Sequence, residues 1–100
     1  MGNEQTKPKF QLGQIMITPG VRDLFSEVPQ AWPGALINSL LARHRAGDWG
    51  EVPPSDAAEN ELSVSEGFRI MSAYSVGGEK VWVITEADRS VTTLLLPDEY

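Results

Sequence analysis

A chain of 100 residues has material for one small core, and without cysteine it has no disulfide, no thiolate metal site and no cysteine nucleophile. Its lone histidine excludes a multi-histidine metal site within one chain, and no run approaches the ~18 apolar residues of a membrane span. The net charge of −6 is lopsided: residues 1–46 hold five basic and three acidic side chains, whereas residues 47–100 hold three and eleven.

Residues 1–10 read as a flexible polar tail, and residues 11–100 as a single α+β domain. QLGQIMIT sets Leu12, Gln14 and Met16 against Gly13, Ile15 and Ile17, a short strand ending at Thr18. Thr18-Pro19 suits a helix start, with threonine as cap and proline at the first helical position. The helix VRDLFSEV gathers Val21, Leu24, Phe25 and Val28 on one face, and Pro29 ends it. After a break at Trp32-Pro33-Gly34, ALINSLLARHRA places Leu36, Ile37, Leu40, Leu41 and His44 on one apolar face. Arg43 and Arg45 suit the negative end of that helix, and Gly47 its termination.

DWGEVPP is a linker. Ser55 or Asp56 can cap a third helix, DAAENELSVS, with a thin apolar face of Ala58 and Leu62 and a stop at Gly67. The remainder is a meander of three strands, FRIMSAYSV, KVWVITE and SVTTLLL. Gly77-Gly78 supplies the positive φ of a tight hairpin, and Glu86-Ala87-Asp88-Arg89 forms the second turn, where Asp88 can bond its own backbone. These elements predict an antiparallel sheet of about four strands with two or three helices on one face. The expected core is Ile15, Ile17, Leu24, Phe25, Leu36, Ile37, Leu40, Leu41, Phe68, Ile70, Val81, Val83, Leu94 and Leu96, with Trp49 or Trp82 closing an edge. Both faces of 81–84 and 93–96 are apolar, so alternation does not choose a face.

Three places could carry function. His44 is either a general base, with Asp48 four residues on, or a histidine at the edge of the core bonded to backbone. In GDWG, Trp49 either closes the core or stands exposed as a partner anchor, as Trp does at binding hot spots. In TEADRS, Glu86, Asp88 and Arg89 form either a turn with a local Asp–Arg pair or a charged site. Asp48, Trp49, Glu86 and Arg89 are therefore the candidate partner-binding residues. Six carboxylates, Asp48, Glu51, Asp56, Glu59, Glu61 and Glu66, follow one another with no cation between them. The last five form a candidate acidic patch. That field repels phosphate, so direct binding of DNA or RNA is not expected. No phosphate-cradling glycine loop, dinucleotide fingerprint or nucleophile elbow is present. No catalytic residue, metal or cofactor is expected.

QLGQI followed by TPG, then LARH, GDWGE, RIMSAY and KVWVITEADRSVTTLLLPDEY, resembles a family of small bacterial proteins often carried on plasmids and other mobile elements and labelled plasmid-related. The resemblance spans about residues 11–100, departs at VPPSDA, and implies no particular activity. It adds a setting in which a role beside or against host defence is one to consider.

The leading reading is a small acidic protein-binding module. It would act as an inhibitor or accessory factor of a nucleic-acid-handling complex and meet a partner with a basic surface. An alternative is a RelE-like ribonuclease toxin, suggested by the order of strand, helices and meander; those toxins are basic, as RNA substrates require. Another is a structural or regulatory homodimer joined through strand edges or Trp faces. No basic, apolar leader opens the chain, so the cytoplasm is the expected compartment.

Overall fold

The computed structural model describes residues 7–28 and 32–100. The expected stop at Pro29, and residues 1–6 of the expected tail, lie outside them. In chain order the elements are β1 (Gln14–Ile17), α1 (Pro19–Ser26), α2 (Pro33–Arg45), α3 (Pro54–Glu66), β2 (Ile70–Val76), β3 (Glu79–Thr85), β4 (Val91–Leu95) and a 3-10 turn at Pro97–Glu99. The fold is α+β, as the residue patterns predict.

The sheet runs β1-β4-β3-β2. β2, β3 and β4 are antiparallel, whereas β1 lies parallel to β4. The expectation of a purely antiparallel sheet is corrected here. A parallel pair needs a long crossover between its strands, and the three helices between β1 and the meander provide one. Gly77 and Gly78, at φ 58° and 82°, form the two-residue hairpin turn between β2 and β3.

Each helix begins on a proline, whose fixed φ suits the first turn and whose missing N–H is needed by no partner there. The Thr18 side chain caps α1 by accepting from the Val21 N–H. α2 starts at Pro33, earlier than the expected Ala35, with the apparent break forming its first turn. α3 starts at Pro54 instead of after a Ser55 or Asp56 cap, and Gly67 ends it in the left-handed conformation.

Val21 and Phe25 of α1 and Leu40 and Leu41 of α2 pack on Tyr74, Val76, Val81, Val83 and Leu94 of the sheet. Leu12, Ile15, Leu24, Val28, Leu36, Ile37 and Leu96 close around them. Two expected core residues are largely exposed: Phe68 at 55% and Ile17 at 40%. Phe68 sits between the helix stop at Gly67 and the first buried strand residue, Ile70, and Ile17 lies on the outermost strand. The proposed apolar face of α3 is also corrected. Ala58 and Leu62 face solvent, and Asn60 and Ser63 are the buried residues.

The opposite face of the sheet buries Ala73, Ile84 and Leu95. Across it folds the end of the chain: Tyr100 meets Trp82 edge-on at 5.7 Å, and Arg69 donates to the Tyr100 hydroxyl at 2.6 Å. Glu99 accepts from the Thr18 hydroxyl and from the Gly20 and Leu96 amides, which fastens the same segment to the start of α1. Cover on both sides accounts for strands apolar on both faces. Among the described residues, no helix is long and apolar enough to cross a membrane.

Candidate functional site

His44 is fully buried, and its partners are side chains instead of the expected backbone. Nδ1 lies 2.6 Å from the Ser72 hydroxyl and Nε2 lies 2.9 Å from the Thr85 hydroxyl. Thr85 is 2.6 Å from Thr92, which donates to the Leu12 carbonyl at 2.7 Å. Since a carbonyl only accepts and each hydroxyl has one proton, the direction follows from Leu12 as far as Nε2, and the neutral state that burial imposes on the imidazole sets the Ser72 step. Thr92 gives its proton to Leu12, Thr85 gives to Thr92, His44 gives from Nε2 to Thr85, and Ser72 gives to Nδ1. The imidazole is neutral, with Nε2 protonated. Burial, aided by the charge of Arg89, lowers its pKa to about 3. The general-base reading has no geometry behind it: Asp48 pairs with Arg43 at 2.7 Å, and both imidazole nitrogens are occupied.

Phe10 seals this chain from outside. Its ring meets His44 edge-on at 5.2 Å and stacks on Trp49 at 6.2 Å. The Lys9 amide donates to the Arg45 carbonyl at 2.7 Å, which docks this part of the expected tail against α2. Trp49 is only 6% exposed, so it closes the core instead of offering an anchor. Its indole N–H donates to Glu61 at 2.9 Å. Asp48 receives the Gly50 amide on its side chain and the Tyr74 hydroxyl on its backbone carbonyl. The Arg43 hydrogen bond holds the Asp48 carboxyl below its usual range, and burial raises the Tyr74 phenol to about 12.

TEADRS is a turn whose three charged residues diverge. Asp88 accepts from the Ser90 amide at 3.0 Å, as a turn Asp does. Glu86 pairs with Arg69 at 3.2 Å. Arg89, at φ 61°, makes no pair with Asp88 or Glu86. Its guanidinium instead gathers carbonyls: Ser63 and Phe68 at 2.7 Å each, and Glu86 and Ala87 within its own turn. Ser63 lies in the last turn of α3, so Arg89 places a cation at that helix's negative end. The expected local Asp–Arg pair is corrected, and Arg89 is a brace of the fold. Trp49 and Arg89 do meet a common neighbour, since the Arg89 guanidinium also lies 5.6 Å from the Phe10 ring centre.

The acidic run separates by the same test. Glu51 pairs with Lys80 at 2.8 Å and accepts from Ser75. Glu61 holds Trp49. Asp56, Glu59 and Glu66 have no ion-pair partner among the described residues, and α3 contains neither lysine nor arginine. Glu59, Leu62 and Glu66 fall at i, i+3 and i+7, so they share one face, and Leu62 there is 55% exposed. Beside this stripe, Asp56, Glu59, Asn60, Ser63, Arg69 and Met71 line a recess of about 220 Å³. Sequence reading singled out the carboxylates and missed Leu62 and Phe68 as surface residues. The signal available was the acid on either side of Leu62, which a helix packed through Leu62 would have to bury.

Among the described residues, no three metal-capable side chains converge. Compared with protein-family models, with curated proteins and with solved structures, the chain matches none.

Proposed function

We propose that this chain is a non-enzymatic protein-binding module, and that its contact surface is the outer face of α3: Glu59, Leu62 and Glu66, with Asp56 rimming the adjoining recess and Phe68 beyond the helix stop. The partner presents a basic surface with an apolar seat for Leu62. The observation that carries this reading is the stripe itself, an exposed leucine between carboxylates that make no ion pair among the described residues. Glu66 stands at the end of α3 where the helix dipole disfavours negative charge, so local stability does not account for it. A basic groove that ordinarily holds a phosphate backbone fits such a surface. Inhibition or support of a nucleic-acid-handling complex of host defence is the process proposed. The ribonuclease alternative asks for a basic face to hold RNA, and the unpaired carboxylates of α3 present the opposite charge.

Affinity capture from a bacterial lysate, followed by calorimetry on the isolated partner, tests this. Glu59→Lys with Glu66→Lys is expected to weaken binding by at least about tenfold, and wild-type affinity to fall as salt is added. A partner that binds Leu62→Ser and the charge-reversed chain like wild type, or that ignores salt, overturns the reading.

A further inference from the structure

The sheet has two edges, and only one is closed within the described residues. On the outer edge of β2, the Asn60 side-chain amide pairs with the Met71 backbone, donating to its carbonyl at 2.8 Å and accepting from its N–H at 3.1 Å. Two residues along, the Ala73 N–H donates to the Trp49 carbonyl and the Ala73 carbonyl accepts from Glu51. A helix side chain and a linker segment thus stand in for a neighbouring strand.

β1 is the other edge. Gln14 and Thr18 direct their N–H groups to Ser90 and Leu94, toward β4. By alternation, the N–H and C=O groups of Ile15 and Ile17 point away from the sheet, and no described residue pairs with them. Natural edges are commonly blunted with a charge, a proline or a bulge. QIMI has none of these, and it leaves Met16 47% and Ile17 40% exposed.

We propose that β1 is the site of self-association, pairing antiparallel with β1 of a second copy of this chain about a two-fold axis through Met16. The placement of the outward groups sets the register. Ile15 of one copy and Ile17 of the other exchange both backbone hydrogen bonds, and the symmetry repeats the exchange on the other side of the axis. The two Met16 residues then face each other as the close, non-hydrogen-bonded pair, and the two four-stranded sheets become one. Charge favours a second copy at this edge. The strand carries none, and the uncancelled carboxylates of α3 flank β2, three strands away at roughly 4.8 Å per strand. Two copies with a net charge of −6 each therefore meet with their acidic sides turned outward.

Sedimentation of the full chain across a concentration series is the first measurement, with a shift to twice the single-chain mass expected in the micromolar range. Ile17→Pro deletes an outward N–H and leaves every N–H that faces β4, so it is expected to return the protein to monomer with its circular dichroism intact. Met16→Cys covers the case in which the proline variant does not fold. The natural chain has no cysteine, and facing Cβ atoms of such a pair, about 4.5–5.5 Å apart, are near disulfide reach. Under oxidation Met16→Cys is expected to cross-link, and Glu59→Cys on α3 is not. A wild-type chain that stays monomeric throughout the series overturns the proposal. So does a dimer in which Glu59→Cys cross-links and Met16→Cys does not. Ile15 and Ile17 amides that gain exchange protection only when another protein is added give the edge to that partner, and overturn it as well.

Discussion

Two polar clusters of this molecule have opposite fates. The interior one, Ser72, His44, Thr85 and Thr92, is wholly buried, and each of its polar side-chain atoms has a partner, with no buried side-chain nitrogen or oxygen left unsatisfied among the described residues. The exterior one, Glu59, Leu62 and Glu66, is composed of groups the fold leaves without partners. A buried polar group costs heavily if left unpaired, so the first cluster had to be completed by the fold. A carboxylate in water carries no such demand. The residues that look most chemical in the sequence, His44, Trp49 and Arg89, are consequently committed to the structure, and the available surface lies on a helix that looks merely polar.

The contrast can be tested by what each variant costs. Leu40 lies one turn before His44 on α2, within the apolar core, and is 5% exposed; Leu40→Ala is expected to lose roughly 2–5 kcal/mol in chemical denaturation. A loss below about 0.5 kcal/mol would place Leu40 outside the core.

The next effect is one of pH. His44 has its pKa lowered from 6.5 to about 3, chiefly by burial. As pH falls, the unfolded chain takes up the proton and the fold does not. The contribution to stability is therefore complete above pH 6.5 and is lost progressively toward pH 3, with a limiting slope of about 1.4 kcal/mol per pH unit. Denaturation midpoints between about pH 6 and 4.5 are expected to fall in wild type, and to flatten in His44→Phe, since ordinary carboxylates titrate mostly below this window. An unchanged slope in the variant would assign the pH dependence elsewhere.

Arg89→Asn keeps a residue tolerant of the left-handed backbone and removes the guanidinium that holds the Ser63 and Phe68 carbonyls. About 1.5–3 kcal/mol is expected from urea denaturation, the scale of a hydrogen bond to a charged group. A cost near zero would return Arg89 to the list of residues free for a partner. The exposed pair of Glu86 with Arg69 stands below it, and Glu86→Gln is expected to cost about 0–1 kcal/mol. Smallest of all, Glu59→Lys and Leu62→Ser are expected to stay within about 0.5 kcal/mol of wild type. A large loss from either would draw α3's outer face into the core and remove the basis for a contact surface there.

Local chemistry sufficed for much of the fold. Thr18-Pro19 started α1, the 36, 37, 40, 41, 44 stripe found its buried face, and Gly77-Gly78 and Asp88 marked both turns of the meander. These features follow from periodicity, a cap or a φ angle within a few residues. α3 resisted the same reading because it packs through Asn60 and Ser63, and no hydrophobicity pattern singles out an asparagine that satisfies the edge of a strand eleven residues away. The parallel placement of β1 also lay beyond local reading, since it depends on where the meander brings β4. Likewise, nothing within TEADRS announces that Arg89 reaches carbonyls of α3, or within LARHRA that His44 joins hydroxyls from β2 and β3. The sequence by itself determined which segments are helices, strands and turns, to within a few residues at the starts of α2 and α3, because those are decided by near neighbours along the chain. Tertiary structure decided which polar groups are bound and which remain available, because a buried hydrogen-bond partner comes from wherever the fold delivers one.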